Sequence, residues 1–187
     1  MALKATIHKA RIQFSDLDRN VYGDHAVTLA RHPSETDERL LIRLLAFALN
    51  APTHRDEAAL EFAKDMWEPE EPSLWQKDPI GRIAHWIEVG QPDEKRLSRT
   101  SARVDRISVF SFSSSTPIWW KGLEPQITRL RNLTVWQVPA DQSQALAALA
   151  QRTMQLQVTV QDGTIWVDDG TRSVEVAPKR LWGPVEP

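Results

Sequence analysis

The stretch from Asp78 to Lys95 reads D-P-I-G-R-I-A-H-W-I-E-V-G-Q-P-D-E-K and indicates the fold and the chemistry more clearly than any other part of the chain. A turn signal follows Asp78, and an apolar run with the alternation of a strand ends at Glu88. The run P-D-E then begins a helix, because proline suits the first turn and acidic side chains suit the positive end of the helix dipole. Two carboxylates on neighbouring strand ends are typical of a Mg²⁺ site for phosphodiester cleavage, since a hard cation prefers oxygen ligands.

A second strong signal is the apolar segment between Ser34 and Pro52. Apolar side chains from Leu40 to Leu49 cover about 220° of a helical wheel, which predicts a largely buried helix. Ser34 and Asp37 resemble a capping box, and the run N-A-P at residues 50–52 predicts the end of the helix. A helix this apolar is expected to pack against a sheet.

The remaining patterns alternate between strands and helices in the middle of the chain. Strands are predicted at Ala5–Phe14, Ala26–Ala30, Leu60–Lys64, Ile83–Val89, Ile107–Phe112, Leu133–Val138, Gln155–Gln161, Thr164–Val167 and Ser173–Val176. Helices are predicted from Pro92 to about Val104, at Thr116–Leu123 and at Asp141–Ala150. These elements predict an α/β fold with a mixed sheet flanked by helices. The hairpins at both chain ends are expected to add antiparallel strands to that sheet or to build a second small β layer.

Length and composition predict one domain over residues 1–187. Its core is expected at about residues 34–138, with an N-terminal hairpin at about 3–31 and a C-terminal β-meander at about 154–178 packed on it. The chain has no cysteine, which excludes disulfides, thiol catalysis and thiolate metal sites. No apolar run is long enough for a membrane span, so a cytoplasmic protein without membrane contact is expected.

The net charge of −2 gives no sign of a strong nucleic-acid binder, which usually has a basic excess. Any such binding must come from a local patch. The helix after Glu88 offers one, because Arg96, Arg99 and Arg103 are spaced to form a stripe that could grip a nucleic-acid backbone. A solvated helix face is the plainer interpretation. Arg39 and Arg43 predict a shorter basic strip on the first helix.

The chain resembles a known family in three strings. They read R-H-P-S-E-T at residues 31–36, W-I-E-V-G-Q-P-D-E at residues 86–94 and Q-D-G-T-I-W at residues 161–166. They are similar to the pattern of the YaeQ family, and the order of elements resembles the core of the PD-(D/E)XK nuclease superfamily. The resemblance implies a restriction-endonuclease-like fold but no established reaction, and fold alone does not determine function.

Carried over from the nuclease superfamily, Asp78 would be the metal-binding aspartate and Glu88 the second carboxylate, with Mg²⁺ as the cofactor. The lysine of the pattern falls on Gly90, so Lys95 is the nearest replacement for the catalytic cation. Ten residues of continuous strand would separate Asp78 and Glu88 by about 33 Å. They can share a metal only if the chain reverses near residues 79–82. Otherwise Asp78 begins a turn and Glu88 is a sheet-end residue.

Glu38 is the third carboxylate of interest, because its helical angle falls within the apolar arc of the first helix. A buried carboxylate is costly unless it is paired or bound to a metal. In the nuclease superfamily a glutamate near the start of the first core helix assists the metal, and Glu38 matches that location. It also lies in the first helical turn, where acidic residues are favoured for structural reasons.

The sequence therefore leaves two alternative functions open. One is a divalent-metal nuclease acting on DNA or RNA, with Asp78, Glu88, Glu38 and Lys95 at its site. The other is a non-catalytic module that kept the nuclease fold and binds nucleic acid or a protein partner. The vacant lysine position and the acidic net charge favour the second function, and the acidic residues around the predicted turn favour the first.

Overall fold

The computed structural model describes residues 4–184, which form two mixed β-sheets and four α-helices. The strands are β1 (Thr6–Asp16), β2 (Val21–Arg31), β3 (Leu60–Phe62), β4 (Leu74–Lys77), β5 (Ile83–Val89), β6 (Arg106–Phe112), β7 (Leu133–Val138), β8 (Thr153–Gln161), β9 (Thr164–Asp168), β10 (Ser173–Val176) and β11 (Lys179–Trp182). The helices are α1 (Asp37–Asn50), α2 (Glu94–Ser101), α3 (Thr116–Leu123) and α4 (Ala140–Ala147). The predicted mixed α/β class is confirmed.

The two chain ends build a sheet of their own, sheet A, with strand order β10-β9-β8-β1-β2. Strands β1 and β2 pair antiparallel, and β1 also pairs with β8 in parallel. The N-terminal hairpin and the C-terminal meander therefore meet in one sheet that is separate from sheet B. Of the two expected arrangements, the structure has the second β layer and not antiparallel strands added to the central sheet, and the β1–β8 pair is parallel. Strict alternation of buried and exposed residues along β1 and β8 turns one face of this sheet inward.

Sheet B has the order β11-β7-β6-β5-β4-β3, and its centre consists of the parallel strands β5, β6 and β7. One face packs on α1 and α4, which share a buried apolar cluster with the inner face of sheet A. The other face shares a second apolar cluster with α2 and α3. The helix α1 thus lies between two sheets, which is why apolar residues surround it on most sides.

Several boundaries differ from the prediction. Strands β4 and β11 were not predicted, because each is only four residues long and charged or proline residues flank it. Helix α2 ends at Ser101 instead of Val104. The N-cap of α1 is Thr36 and not Ser34, since the Thr36 hydroxyl accepts a hydrogen bond from the Arg39 amide at 3.1 Å. Within residues 4–184, no helix has the length and apolarity to cross a membrane.

Candidate functional site at the carboxyl end of strand β5

Glu88 lies at the carboxyl end of β5 on the face that packs against α2, and it is 8% exposed. Its Oε1 accepts a hydrogen bond from the Arg96 Nε at 2.5 Å and another from the Trp86 indole at 2.8 Å. The charge-assisted bond from the arginine and the bond from the indole together fix the orientation of the carboxylate. The structure therefore pairs Glu88 with a cation of the protein itself.

Arg96 also holds the loop that precedes β4. Its Nη1 donates to the Pro69 carbonyl at 2.5 Å and its Nη2 donates to the Glu71 carbonyl at 3.0 Å. The guanidinium lies 5.7 Å from the centre of the Trp86 ring, which adds a cation–π contact. Because its donors are used in this way, Arg96 fastens α2, β5 and the loop together and does not project from an open stripe.

The structure places Asp78 at the other end of β5. The chain does reverse at residues 79–82, since the Asp78 amide donates to the Arg82 carbonyl at 2.8 Å, and this turn connects β4 to β5. Asp78 Oδ1 accepts the amides of Ile80 and Arg82 at 3.0 and 2.8 Å. Six residues of strand, about 20 Å, separate Arg82 from Glu88. The reversal that a shared metal would require is present, but it does not bring the two carboxylates together.

Gly90, at the position of the missing lysine, has a backbone φ of +133°. Residues with side chains rarely adopt this conformation, although nothing lies within 4 Å of the position a Cβ would occupy. The backbone conformation at position 90 therefore disfavours a lysine there. Lys95, the expected replacement, is an exposed residue of α2.

Glu38 contacts a different element from Glu88. Its Oε1 accepts a hydrogen bond from the Ser143 hydroxyl on α4 at 2.5 Å. The bond fastens α1 to α4 at a site where both helices are otherwise apolar. It also satisfies a half-buried carboxylate, as burial requires. The structural interpretation of Glu38 is therefore supported by a specific partner.

Sequence reasoning missed a buried network of charges at the start of α1. Arg39 binds Asp65 with two nitrogens at 2.6 and 2.8 Å and binds Glu35 at 2.5 Å. Arg39 also donates to the Val89 carbonyl at 3.1 Å, so the network lies beside the carboxyl end of β5. Burial alone would lower the pKa of the Arg39 guanidinium, but the bonds and charges of Asp65 and Glu35 outweigh it and raise that pKa.

Arg43 continues this network one helical turn later. It is 3% exposed, and its Nη2 donates to Glu35 Oε1 at 2.5 Å and to the Ala30 carbonyl at 3.1 Å. The predicted basic strip of Arg39 and Arg43 is thus corrected, because Arg43 is buried, Arg39 is partly buried and both side chains are held in ion pairs. The available signal was Glu35 four and eight residues before two arginines on an apolar helix. Asp65, 26 residues after Arg39, had no local signal.

A histidine and a serine lie deep in the sheet near the amino end of β5. His85 is 1% exposed, and its Nε2 lies 2.8 Å from the Ser108 hydroxyl. Arg106 donates to its Nδ1 at 3.0 Å, so Nε2 carries the proton of the neutral ring. Burial and the charge of Arg106 lower the pKa of His85 to about 3. A ring in this tautomer donates to the serine and cannot remove its proton, so the pair is not an activated nucleophile.

The outer layer of α2 carries a set of basic side chains. Arg99 pairs with Glu70 at 3.2 Å, and both side chains are exposed. Arg103 lies beyond the end of α2, near Thr100, and is exposed. Asn132 donates to the carbonyls of Ser101 and Val104, which holds the loop before β7 against the end of the helix.

That loop brings two further cations to the same layer. Arg129 donates to Glu94 at 2.9 Å and to the Ser98 hydroxyl at 3.1 Å, so it lies along α2. Arg131 is exposed and directly precedes Asn132, which contacts the end of α2. We define the α2 basic surface as Lys95, Arg99, Arg103, Arg129 and Arg131. Its paired carboxylates are Glu70 and Glu94.

The acidic residues do not fit a shared magnesium site. Asp78 and Glu88 lie at opposite ends of β5, and Glu88 is paired with Arg96. In the part of the chain from residue 4 to residue 184, no three His, Cys, Asp or Glu side chains are grouped so as to hold a metal ion. We therefore derive no reaction step through a metal held by this pair.

Comparison with known proteins shows the same architecture over nearly the whole chain. The model of the family described as YaeQ protein matches residues 1–178. YaeQ of Escherichia coli (strain K12) is 40% identical over 177 residues, covering 94% of this chain and 95% of that protein. The YaeQ crystal structure from Xanthomonas axonopodis pv. citri has a TM-score of 0.91 and 41% identity, covering 97% of this chain and 100% of that chain. The one from Pseudomonas syringae has a TM-score of 0.88 and 37% identity, covering 96% and 97%. The chain belongs to the YaeQ family.

Proposed function

We propose that this chain is a non-catalytic nucleic-acid-binding protein that keeps a restriction-endonuclease-like, PD-(D/E)XK-type scaffold and binds through the α2 basic surface. The observation that carries the proposal is the grouping of five cations around α2, whose ion-pair partners among residues 4–184 are the two carboxylates of Glu70 and Glu94. The sequence predicted a stripe on the helix after Glu88. In the fold, Arg129 and Arg131 lie beside that helix and enlarge its basic surface. A local positive potential of this kind binds phosphates even when the whole chain is slightly acidic.

Residues at the carboxyl end of β5 support the absence of catalysis. Glu88 is neutralised by Arg96, so binding a metal there would require breaking a half-buried ion pair. Gly90 supplies no cation at the position of the lysine in the nuclease pattern. Lys95 lies on the exposed side of α2, which suits contact with a phosphate backbone. Arg96 itself is excluded from the binding surface, because it is bonded to Glu88 and to the loop carbonyls.

The test is binding of labelled DNA and RNA, single- and double-stranded, measured by fluorescence anisotropy at several salt concentrations. If three phosphates are neutralised, duplex DNA affinity should fall by about forty-fold between about 50 and 200 mM salt. Removing two cations in the variant Arg103→Gln/Arg131→Gln should reduce the salt slope by about two. Binding should not require Mg²⁺, and chelator should leave the affinity nearly unchanged.

A charge-matched control is available on the outer face of sheet A. The variant Lys9→Gln/Arg11→Gln removes two exposed cations from that face and should bind like the original protein. Equal loss in both variants, or no binding to any of the nucleic acids, would contradict the assignment to α2. Cleavage that requires Mg²⁺ and disappears in Asp78→Asn would overturn the non-catalytic reading and favour the nuclease.

A further inference from the structure

We propose a second, separate site: a pocket between the two sheets that binds a planar aromatic carboxylate. The pocket has a volume of ≈ 530 Å³. That volume lies within the range of small-molecule sites. The inference does not depend on the proposed nucleic-acid binding, because the pocket shares no residue with the α2 basic surface.

One wall of the pocket is a row of side chains across sheet B. Trp136 on β7 is the cross-strand partner of Phe110 on β6 and of Arg180 on β11, so the three side chains lie side by side on one face. Phe110 is 3% exposed and gives a rigid base. Trp136 is half-buried and offers part of its ring surface. Such a row suits stacking of a flat ring.

The opposite wall is a matching row across sheet A. Val160 on β8 is the partner of Ile165 on β9 and of Asp16 on β1. The first two are apolar and buried. Asp16 is satisfied, since it accepts Arg19 Nε at 2.6 Å and the amides of Asp18 and Arg19, each at 3.0 Å. The end of α1, at Leu49 and Asn50, closes one side of the space.

The charge at the opening determines the class of ligand. Within residues 4–184, no carboxylate pairs with the Arg180 guanidinium. The carboxylate of Asp18 is instead occupied by the amides of Asp162 and Gly163, at 2.7 and 2.9 Å. Arg180, with no carboxylate partner among the described residues, lies next to Trp136 and in line with Phe110, and this favours a ligand with a ring for the wall and a carboxylate for the guanidinium.

The experiment is calorimetric titration of the full chain with 2-naphthoate, its neutral analogue 2-naphthamide and the cation 2-naphthylmethylammonium. We expect the carboxylate to bind more tightly than the amide, and the cation to bind least well. Arg180→Gln should weaken binding of the carboxylate by about tenfold and leave the amide unchanged. Lys179→Gln is the matched control, because this neighbouring residue points to the opposite face of β11, and it should have no effect.

Trp136→Ala should weaken the binding of both 2-naphthoate and 2-naphthamide, provided that circular dichroism shows a folded protein. Amide shifts in a ¹⁵N correlation spectrum of the unaltered chain supply a readout that needs no variant. They should be concentrated near Asn50, Gly163 and Arg180. Equal affinity for the three probes, shifts located elsewhere, or no binding at about 1 mM probe would overturn the proposal.

Discussion

Arg96 Nε and Glu88 Oε1 lie 2.5 Å apart and connect the first turn of α2 to the last residues of β5. The glutamate side chain is 11% exposed and the arginine side chain is 22% exposed, so solvent screens the pair only in part. The same arginine is bonded to the carbonyls of Pro69 and Glu71. The carboxylate that sequence assigned to a metal is therefore a fastening point between strand, helix and loop.

This pairing predicts that Glu88→Gln destabilises the protein without any metal being present. Loss of the charge beside a half-buried arginine should lower the free energy of unfolding by about 2 kcal/mol, as measured by urea denaturation. In a double-mutant cycle with Arg96→Met, most of this loss should disappear. Glu70→Gln is the control, because its pair with Arg99 is exposed, and it should cost less than about 1 kcal/mol. Equal effects of the two substitutions would contradict the structural role.

The network at the start of α1 predicts a larger effect for Glu35→Gln. The Glu35 and Arg43 side chains are 1% and 3% exposed, and removing the charge of one leaves the other buried and poorly compensated. The expected loss in unfolding free energy is roughly 3 kcal/mol. Asp37→Asn removes a neighbouring acid whose pair with Arg31 is half exposed, and it should cost about 1 kcal/mol or less. A loss of similar size in the two variants would argue against a buried network.

The backbone at Gly90 predicts that restoring the lysine of the nuclease pattern does not restore activity. With φ at +133°, a side chain of any length strains the chain, so Gly90→Ala and Gly90→Lys should lose similar stability, about 1–3 kcal/mol. Gly122→Ala, in α3 with open space and no positive φ, should be neutral or stabilising. Thermal unfolding would measure all three variants, and a stable, Mg²⁺-dependent nuclease from Gly90→Lys would contradict this prediction.

The buried His85 predicts a specific dependence of stability on pH. Its pKa is about 3 in the folded protein, against an ordinary value of 6.5, so below pH 6.5 the unfolded chain binds a proton that the folded chain does not. The neutral ring's contribution is complete above pH 6.5 and is lost as the pH falls toward 3, with a slope of up to about 1.4 kcal/mol per pH unit. In His85→Gln, urea denaturation between pH 6.5 and 4.5 should show a smaller slope. An unchanged slope would contradict the assigned protonation state.

Local patterns predicted most of the elements. The alternation at residues 83–89, the apolar periodicity of α1 and the glycine turns of the C-terminal strands each depend on neighbours a few residues apart. The limits of β5, α3, β7 and β10 agree with the prediction. Strands β4 and β11 were not predicted, because four residues do not establish a period. Pairing with longer strands holds them in place.

Local patterns did not predict the partners of the charged residues. Arg39 binds Asp65, which is 26 residues away in the sequence, and Arg96 binds the Pro69 carbonyl, which is 27 residues away. Glu38 binds Ser143, which is 105 residues away. No local sequence pattern indicates any of these three contacts. The local patterns correctly predicted a turn at Asp78 and a strand end at Glu88, but they did not determine how far apart the two carboxylates lie.

The sequence by itself determined the mixed α/β class, the family resemblance, the absence of thiol chemistry and the vacancy at Gly90, because composition, periodicity and motif identity are properties of short segments. Only the tertiary structure decided that Glu88 pairs with Arg96, that Asp78 lies at the far end of β5, and that Trp136 and Arg180 border one pocket. Strand register and helix packing set these positions. A shift of one residue turns a side chain to the other face of a sheet, so they follow from the whole fold and not from any one segment.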